Sequence, residues 1–292
     1  MDTLQEKGIP SSKSRGSDGF DLFRLFFAIL YCVLNLLRFL AECLIVPYRT
    51  APYYYLLANR QAGSQNKIIL KIQCNKNMNK INLAIIENCE YISKREPAIR
   101  NAVEIARKFA FPKLKINWNI DVVLRSSKTK YADAKDFISG HTYESDFIVL
   151  YVEEKFKPFE IAEVLIHELC HAARWGKNDE WLSTLYDALI FEGIAVYFTE
   201  EFCKDKSEHQ FYMDVVTKRT DSENKKILKT LKEQLENTNY DYDKFFTGNG
   251  KDLPYWAGYS LGYYLVKKYL KKTSKKIEDA FADKYSDIES AL

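Results

Sequence analysis

The chain has 292 residues, room for one large domain with an extension or for two small domains. Apolar residues make up 47% and charged residues 28%, which excludes a disordered polyelectrolyte. A net charge of +3 gives no pull toward nucleic acid, and the pairs Lys225-Lys226, Lys267-Lys268 and Lys275-Lys276 read as solvated helix faces. The six cysteines (Cys32, Cys43, Cys74, Cys89, Cys170 and Cys203) include no Cys-x-x-Cys pair. They suggest no disulfide framework and are expected to be reduced.

Residues 1–19 are rich in Ser, Gly and charge and are expected to be a disordered tail. Residues 20–47 form a Leu/Phe/Ile-rich segment closed by Pro47, long enough for a membrane span. Arg24, Ala28, Tyr31, Asn35, Arg38 and Glu42 fall on one narrow helical stripe of it. That stripe suits an anchor or an interfacial helix, so membrane association through residues 20–46 is expected, with a cytoplasmic protein as the alternative. A helix packed on the soluble domain would show the same stripe.

Residues 48–112 read as a connector followed by N-terminal helices. Ile68–Cys74 fits a short strand or a helix start. Asn82–Ile92 has helical spacing, and Ser93-x-x-Glu96 offers a capping box for a helix over Ala98–Phe111 that Pro112 ends. The period then shortens. Trp118–Leu124 and Phe147–Val152 are β-branched and aromatic runs, with Ser139–Tyr143 as a turn into a further strand. Pro158 opens a helix that stops at Gly176, and helical patterns follow at 181–203, 222–238, 255–270 and 277–285. The fold class is α+β, with residues 113–292 as the main domain.

The chemistry lies in the helix that Pro158 opens. It carries His167-Glu168-Leu169-Cys170-His171, two of only four histidines in the chain. Four residues apart, the two imidazoles project from one face and can grip one Zn²⁺. Glu168 is placed to act as general base on a Zn-activated water. A charged glutamate in so apolar a run is costly unless it has a partner or a task. A zinc that does chemistry needs three protein ligands and an open position, and Glu192 on the next helix is the candidate for the third.

His167-Glu168-Leu169-Cys170-His171 followed by Phe191-Glu192-Gly193-Ile194-Ala195-Val196-Tyr197-Phe198 resembles the gluzincin (peptidase-MA-like) metallopeptidases. Within them it is most similar to an uncharacterised bacterial family of predicted zinc-dependent proteases. The resemblance runs from Asn119 to the C-terminus and takes in Gly140-x-Thr142-Tyr143, Arg174 after the second histidine, and Leu253–Tyr263. It implies a zincin-like fold: a small mixed sheet with an edge strand, an active-site helix and a mostly helical C-terminal half. It implies one zinc per chain on His167, His171 and Glu192, with Glu168 as base and a peptide or protein as substrate. Phe147–Val152 would be the edge strand that pairs with extended substrate. Pro254-Tyr255-x-x-Gly258 makes Tyr255 the oxyanion donor and Tyr259 its reserve. The acidic residue that in some gluzincins supports a histidine ligand is replaced by Val196, with Asp187 or a backbone carbonyl as substitutes. His141 reads as an ordinary exposed histidine.

Two other readings compete with a protease: an inactive zincin-fold scaffold, and a zinc hydrolase of a non-peptide amide or ester. If residues 20–46 hold the chain at a membrane, the full-length protein will sediment with membranes and a chain lacking residues 1–47 will not. A full-length protein recovered in the supernatant would refute the association.

Overall fold

The computed structural model describes residues 79–86, 90–126, 137–178, 180, 182–248 and 251–292, all within the compact unit Ser64–Leu292. The tail, the hydrophobic segment 20–47, the connector and the 68–74 run lie outside the described residues. Among the described residues no helix is long and apolar enough to cross a membrane.

Four strands form one sheet: β1 (Ile81–Ile85), β2 (Ile120–Ser126), β3 (Ile138–Glu144) and β4 (Phe147–Val152). Their order is β1-β2-β4-β3; β1, β2 and β4 run parallel, and β3 is antiparallel to β4. Period-2 alternation explains the faces. Ile120, Val122 and Leu124 are fully buried, while Asp121 and Arg125 are exposed and Val123 is half-buried. The chain is mixed α/β, with a small sheet and a predominance of helix.

Three sequence expectations are corrected. Residues 82–92 were expected to be helical, yet Ile81–Ile85 is strand β1, and only Glu90–Ser93 (α1) is helical. A short apolar run fits either period, and parallel pairing with β2 decides it. The capping box at Ser93 does not form. Ser93 closes α1, and α2 (Glu96–Lys113) starts after Arg95 with no side-chain cap, Glu96 instead accepting from Arg100 at 2.8 Å. Nor is Phe147–Val152 an edge strand: β4 lies between β2 and β3, and among the described residues β3 is the outer strand on that side.

Helix α3 (Pro158–Trp175) lies against α2, β3 and β4. It opens with Pro158, its Glu160 carboxylate accepting the Lys157 N–H at 2.7 Å, and it ends at Gly176, where a Cβ would come within 2.6 Å of the Trp118 ring. Arg174 in its last turn is buried and ties it to the C-terminus. Its Nη1 donates to the carbonyls of Phe281 (2.7 Å) and Asp283 (2.9 Å), and its guanidinium stands 4.3 Å over the Tyr285 ring.

Helix α4 (Leu185–Cys203) begins with a reciprocal cap: Thr184 accepts the Asp187 N–H, and Asp187 accepts that of Thr184. It is buried on nearly every side. Next come α5 (Phe211–Lys218), which the sequence reading did not anticipate, α6 (Asp221–Leu231), a π-helical turn (Asp243–Thr247), α7 (Ala257–Thr273), α8 (Ile277–Ala280) and α9 (Tyr285–Ala291). Helices α4 and α7 cross backbone on backbone. A Cβ on Gly193 would run into the Gly262 backbone, and one on Gly262 into the Leu189 carbonyl.

Gly193→Ala is therefore expected to force the helices apart and to destabilise the fold by about 1–3 kcal/mol, as overpacking does. Urea denaturation checks this; an unchanged midpoint would show that the crossing has slack.

Candidate metal centre

His167 and His171 lie on the third and fourth turns of α3, and Glu192 sits midway along α4. The crossing of these helices brings the three side chains together. His167 Nε2 is 3.1 Å from Glu192 Oε2 and 3.0 Å from His171 Nε2, and His171 Nε2 is 3.3 Å from Glu192 Oε2. Among the described residues this is the one group of three or more His, Cys, Asp or Glu side chains whose donor atoms lie within 4.8 Å of one another. Donors held about 2.0–2.1 Å from one tetrahedral zinc lie about 3.3 Å apart, so the three spacings fit the ion.

The surroundings fix each ring. His171 stacks on Phe191 with centroids 4.0 Å apart at 8°, and Phe191 stacks in turn on Trp175 at 5.6 Å. His167 meets the Tyr259 ring edge-on, centroids 6.4 Å apart. Burial works against charge on Glu192, but the two histidines outweigh it and hold its carboxyl well below the usual carboxylate range. Burial likewise opposes a charged His167, and Glu192 overrides it, raising the imidazole pKa.

Glu168 is 6% exposed and turns toward β3. Thr142 Oγ1 stands 2.6 Å from its Oε2 and 3.0 Å from its carbonyl oxygen; a hydroxyl has one hydrogen, and the shorter contact to the carboxylate is the stronger. Gly140 leaves the room: a Cβ there would come within 2.5 Å of Glu168 Cγ. Cys170, inside the motif, is 1% exposed in the core, where burial raises its thiol pKa.

A family model described as "Predicted Zn-dependent protease (DUF2268)" matches residues 98–290. The chain belongs to this family of predicted zinc-dependent proteases. No curated protein and no solved structure matches it.

Of the other residues singled out in the sequence, Tyr255 is 58% exposed, its ring 6.4 Å from that of Trp256 and its carbonyl accepting from Arg219. Tyr259, one helical turn further on, is the tyrosine beside His167. Asp187 accepts the N–H groups of Ser183 and Thr184 as the cap of α4. Val196 is buried with Met213, Val216 and Tyr263. His141 is exposed on β3, its ring edge-on to Tyr143 at 4.4 Å.

Sequence reasoning missed two residues of this family member. Tyr242 donates to Glu192 Oε1 at 2.7 Å; it is 38% exposed, but its hydroxyl faces inward, and burial with the Glu192 charge pushes its pKa well above 10. Fifty positions separate the pair, and no local spacing signals the contact. Glu163 is the other. It shares the stripe of His167 and His171 on α3, is fully buried, and accepts the Gln210 N–H at 2.8 Å while its Oε1 has no hydrogen-bond partner among the described residues. Its i, i+4 spacing to His167 was legible.

Burial pushes the Glu163 carboxyl from 4.5 up to about 7, even though the Gln210 N–H, Cys203 and the His209 charge pull the other way and only Glu160 adds to the rise. Between those values the unfolded chain releases the proton while the folded chain keeps it, so stability falls as pH rises. The fall from pH 4.5 to 7 amounts to about 3 kcal/mol, and the loss is complete above that window. Glu163→Gln should remove this fall while leaving an acceptor for Gln210. Denaturation curves of both proteins across the window check it; parallel pH profiles would refute it.

Proposed function

We propose that the chain is a zinc metallopeptidase of the gluzincin type with a zincin-like fold, hydrolysing peptide bonds. The observation that carries this is the convergence of His167 Nε2, His171 Nε2 and Glu192 Oε2, beside a glutamate fixed by the adjoining strand. Membership of a family of predicted zinc-dependent proteases supports it. His167, His171 and Glu192 would hold the ion. Bound there, zinc supplies a Lewis acid that polarises water and the scissile carbonyl.

The rest is done by the chain's own residues. Glu168 takes a proton from the attacking water and delivers it to the leaving amine nitrogen as the C–N bond breaks. Thr142 holds Oε2, which fixes the carboxylate's orientation and leaves Oε1 clear of that bond. Strand β3, the outer strand on that side among the described residues, lies against α3, and an extended peptide adds along its outer edge by backbone hydrogen bonds. A tyrosine hydroxyl stabilises the oxyanion that forms at the carbonyl. The ring of Tyr259 beside His167 favours Tyr259 for that role over Tyr255, whose exposed side chain would have to turn inward; the Tyr259 hydrogen, directed at Tyr242 in the resting site, would swing to the oxyanion. The apolar run Phe20–Val46 assigns the enzyme to a membrane surface in this reading.

Glu168→Gln should retain about one zinc per chain and lose about 10²–10⁴ of the turnover in a peptide-library cleavage assay. Undiminished turnover would remove Glu168 as the base. Metal-free, stably folded wild type would sink the zinc reading altogether.

A further inference from the structure

The hydroxyl of Tyr242 stands 2.7 Å from Glu192 Oε1 and 3.1 Å from the hydroxyl of Tyr259. A carboxylate can only accept, so the single hydrogen of Tyr242 goes to Glu192, and Tyr259 is the donor toward Tyr242. Glu192 is thus held at both oxygens. Oε1 receives Tyr242, and Oε2 faces His167 and His171.

Tyr242 is itself built into place. Its ring stacks on Phe246 with centroids 4.3 Å apart at 13°. Phe246 is fully buried and fills the space that Gly258 leaves: a Cβ there would come within 2.8 Å of Phe246 Cδ1. The residues after Tyr242 form the π-helical turn Asp243–Thr247, a rare geometry found disproportionately at functional sites. Upstream, the segment is fastened to the start of the Glu192 helix. Leu185 N donates to Asn237 O at 3.0 Å, and Tyr186 N to Leu235 O at 2.9 Å. The hydrogen bond to Glu192 therefore comes from a braced group.

We propose that Tyr242 is a positioning residue for the metal centre: its hydroxyl locks the Glu192 carboxylate so that Oε2 alone turns toward the ion. The inference rests on the zinc reading above. A carboxylate without this bond can rotate or offer both oxygens, and either change loosens the three-donor geometry. Hydrogen-bond partners of metal ligands are commonly worth about 10–100-fold in metal affinity.

The test is zinc affinity, measured by chelator competition on full-length wild type, Tyr242→Phe and Tyr259→Phe, with the absorption spectrum of the cobalt-substituted forms. Tyr242→Phe keeps the ring and its stack on Phe246, so the metal-free thermal midpoint should stay within the ordinary range for a surface change. Its zinc affinity should fall about 10–100-fold and its cobalt spectrum should shift. Tyr259→Phe leaves the Tyr242–Glu192 bond in place and should lose much less affinity. Wild-type affinity and an unshifted spectrum in Tyr242→Phe would overturn the proposal and leave the zinc reading standing. An equal loss in Tyr259→Phe would also overturn it, because the effect would then belong to the tyrosine cluster and not to the Glu192 bond. Wild type that binds no zinc would overturn both.

Discussion

The contact on which the site depends is the backbone-to-backbone crossing of α4 and α7 at Gly193 and Gly262. Neither glycine carries a side chain that could reach a metal, yet each sets the position of one that faces it. Glu192 precedes Gly193 on α4, and Tyr259 lies one turn before Gly262 on α7. Any Cβ at the crossing would move the helix axes apart, and with them the distance between Glu192 and the histidines of α3. Spacings near 3 Å among three donors tolerate little of that. The crossing is structural, and its consequence is chemical.

Burying charge is the second constraint, and the fold meets it by giving the charged groups nearest the site specific neighbours. Glu168 has Thr142, Glu192 has two imidazoles and Tyr242, and Arg174 has two backbone carbonyls and the Tyr285 ring. A buried polar group without a partner would cost about 1–3 kcal/mol. Glu163 keeps one oxygen, Arg174 its Nη2 and Tyr186 its hydroxyl without a hydrogen-bond partner among the described residues, and burial pushes the Glu163 carboxyl up to about 7. It lies on the same stripe of α3 as the histidines, with Gln210 at the head of α5 as its partner. Helix α5 bears Tyr212, whose ring meets those of Tyr259 and Trp256.

What could be read from the sequence follows the range of the forces involved. His167, Glu168 and His171 are fixed by helix periodicity alone, and the limits of α3 by Pro158 and Gly176. Glu192 could be picked out because a glutamate in an apolar helix needs a reason. The failures share a cause. Asn82–Ile92 fitted two periods, and only pairing with β2 distinguished them. Phe147–Val152 had the composition of a strand, but order within a sheet is a long-range property, and β3 took the outer place. The Pro254-Tyr255-x-x-Gly258 spacing singled out Tyr255 and gave no sign that its glycine also seats Phe246.

That last substitution of roles shows how the site is assembled from sequence-distant parts. Gly258 admits Phe246, Phe246 supports the Tyr242 ring, and the Tyr242 hydroxyl reaches Glu192, so a small residue on α7 acts on a carboxylate of α4 through a turn that belongs to neither. Each step is a short-range contact with an ordinary physical cause: space, stacking, then a hydrogen bond. None leaves a periodic trace, because the partners lie on separate elements. The π-helical turn follows from the same demand. Tyr242 must point to Glu192 while Phe246, four residues on, must point to Gly258, and the wider turn at Asp243–Thr247 accompanies both orientations. A histidine pair on one helix can be specified locally. The third donor of such a site needs contacts from other elements to hold it, as Tyr242 and the Gly193–Gly262 crossing do for Glu192.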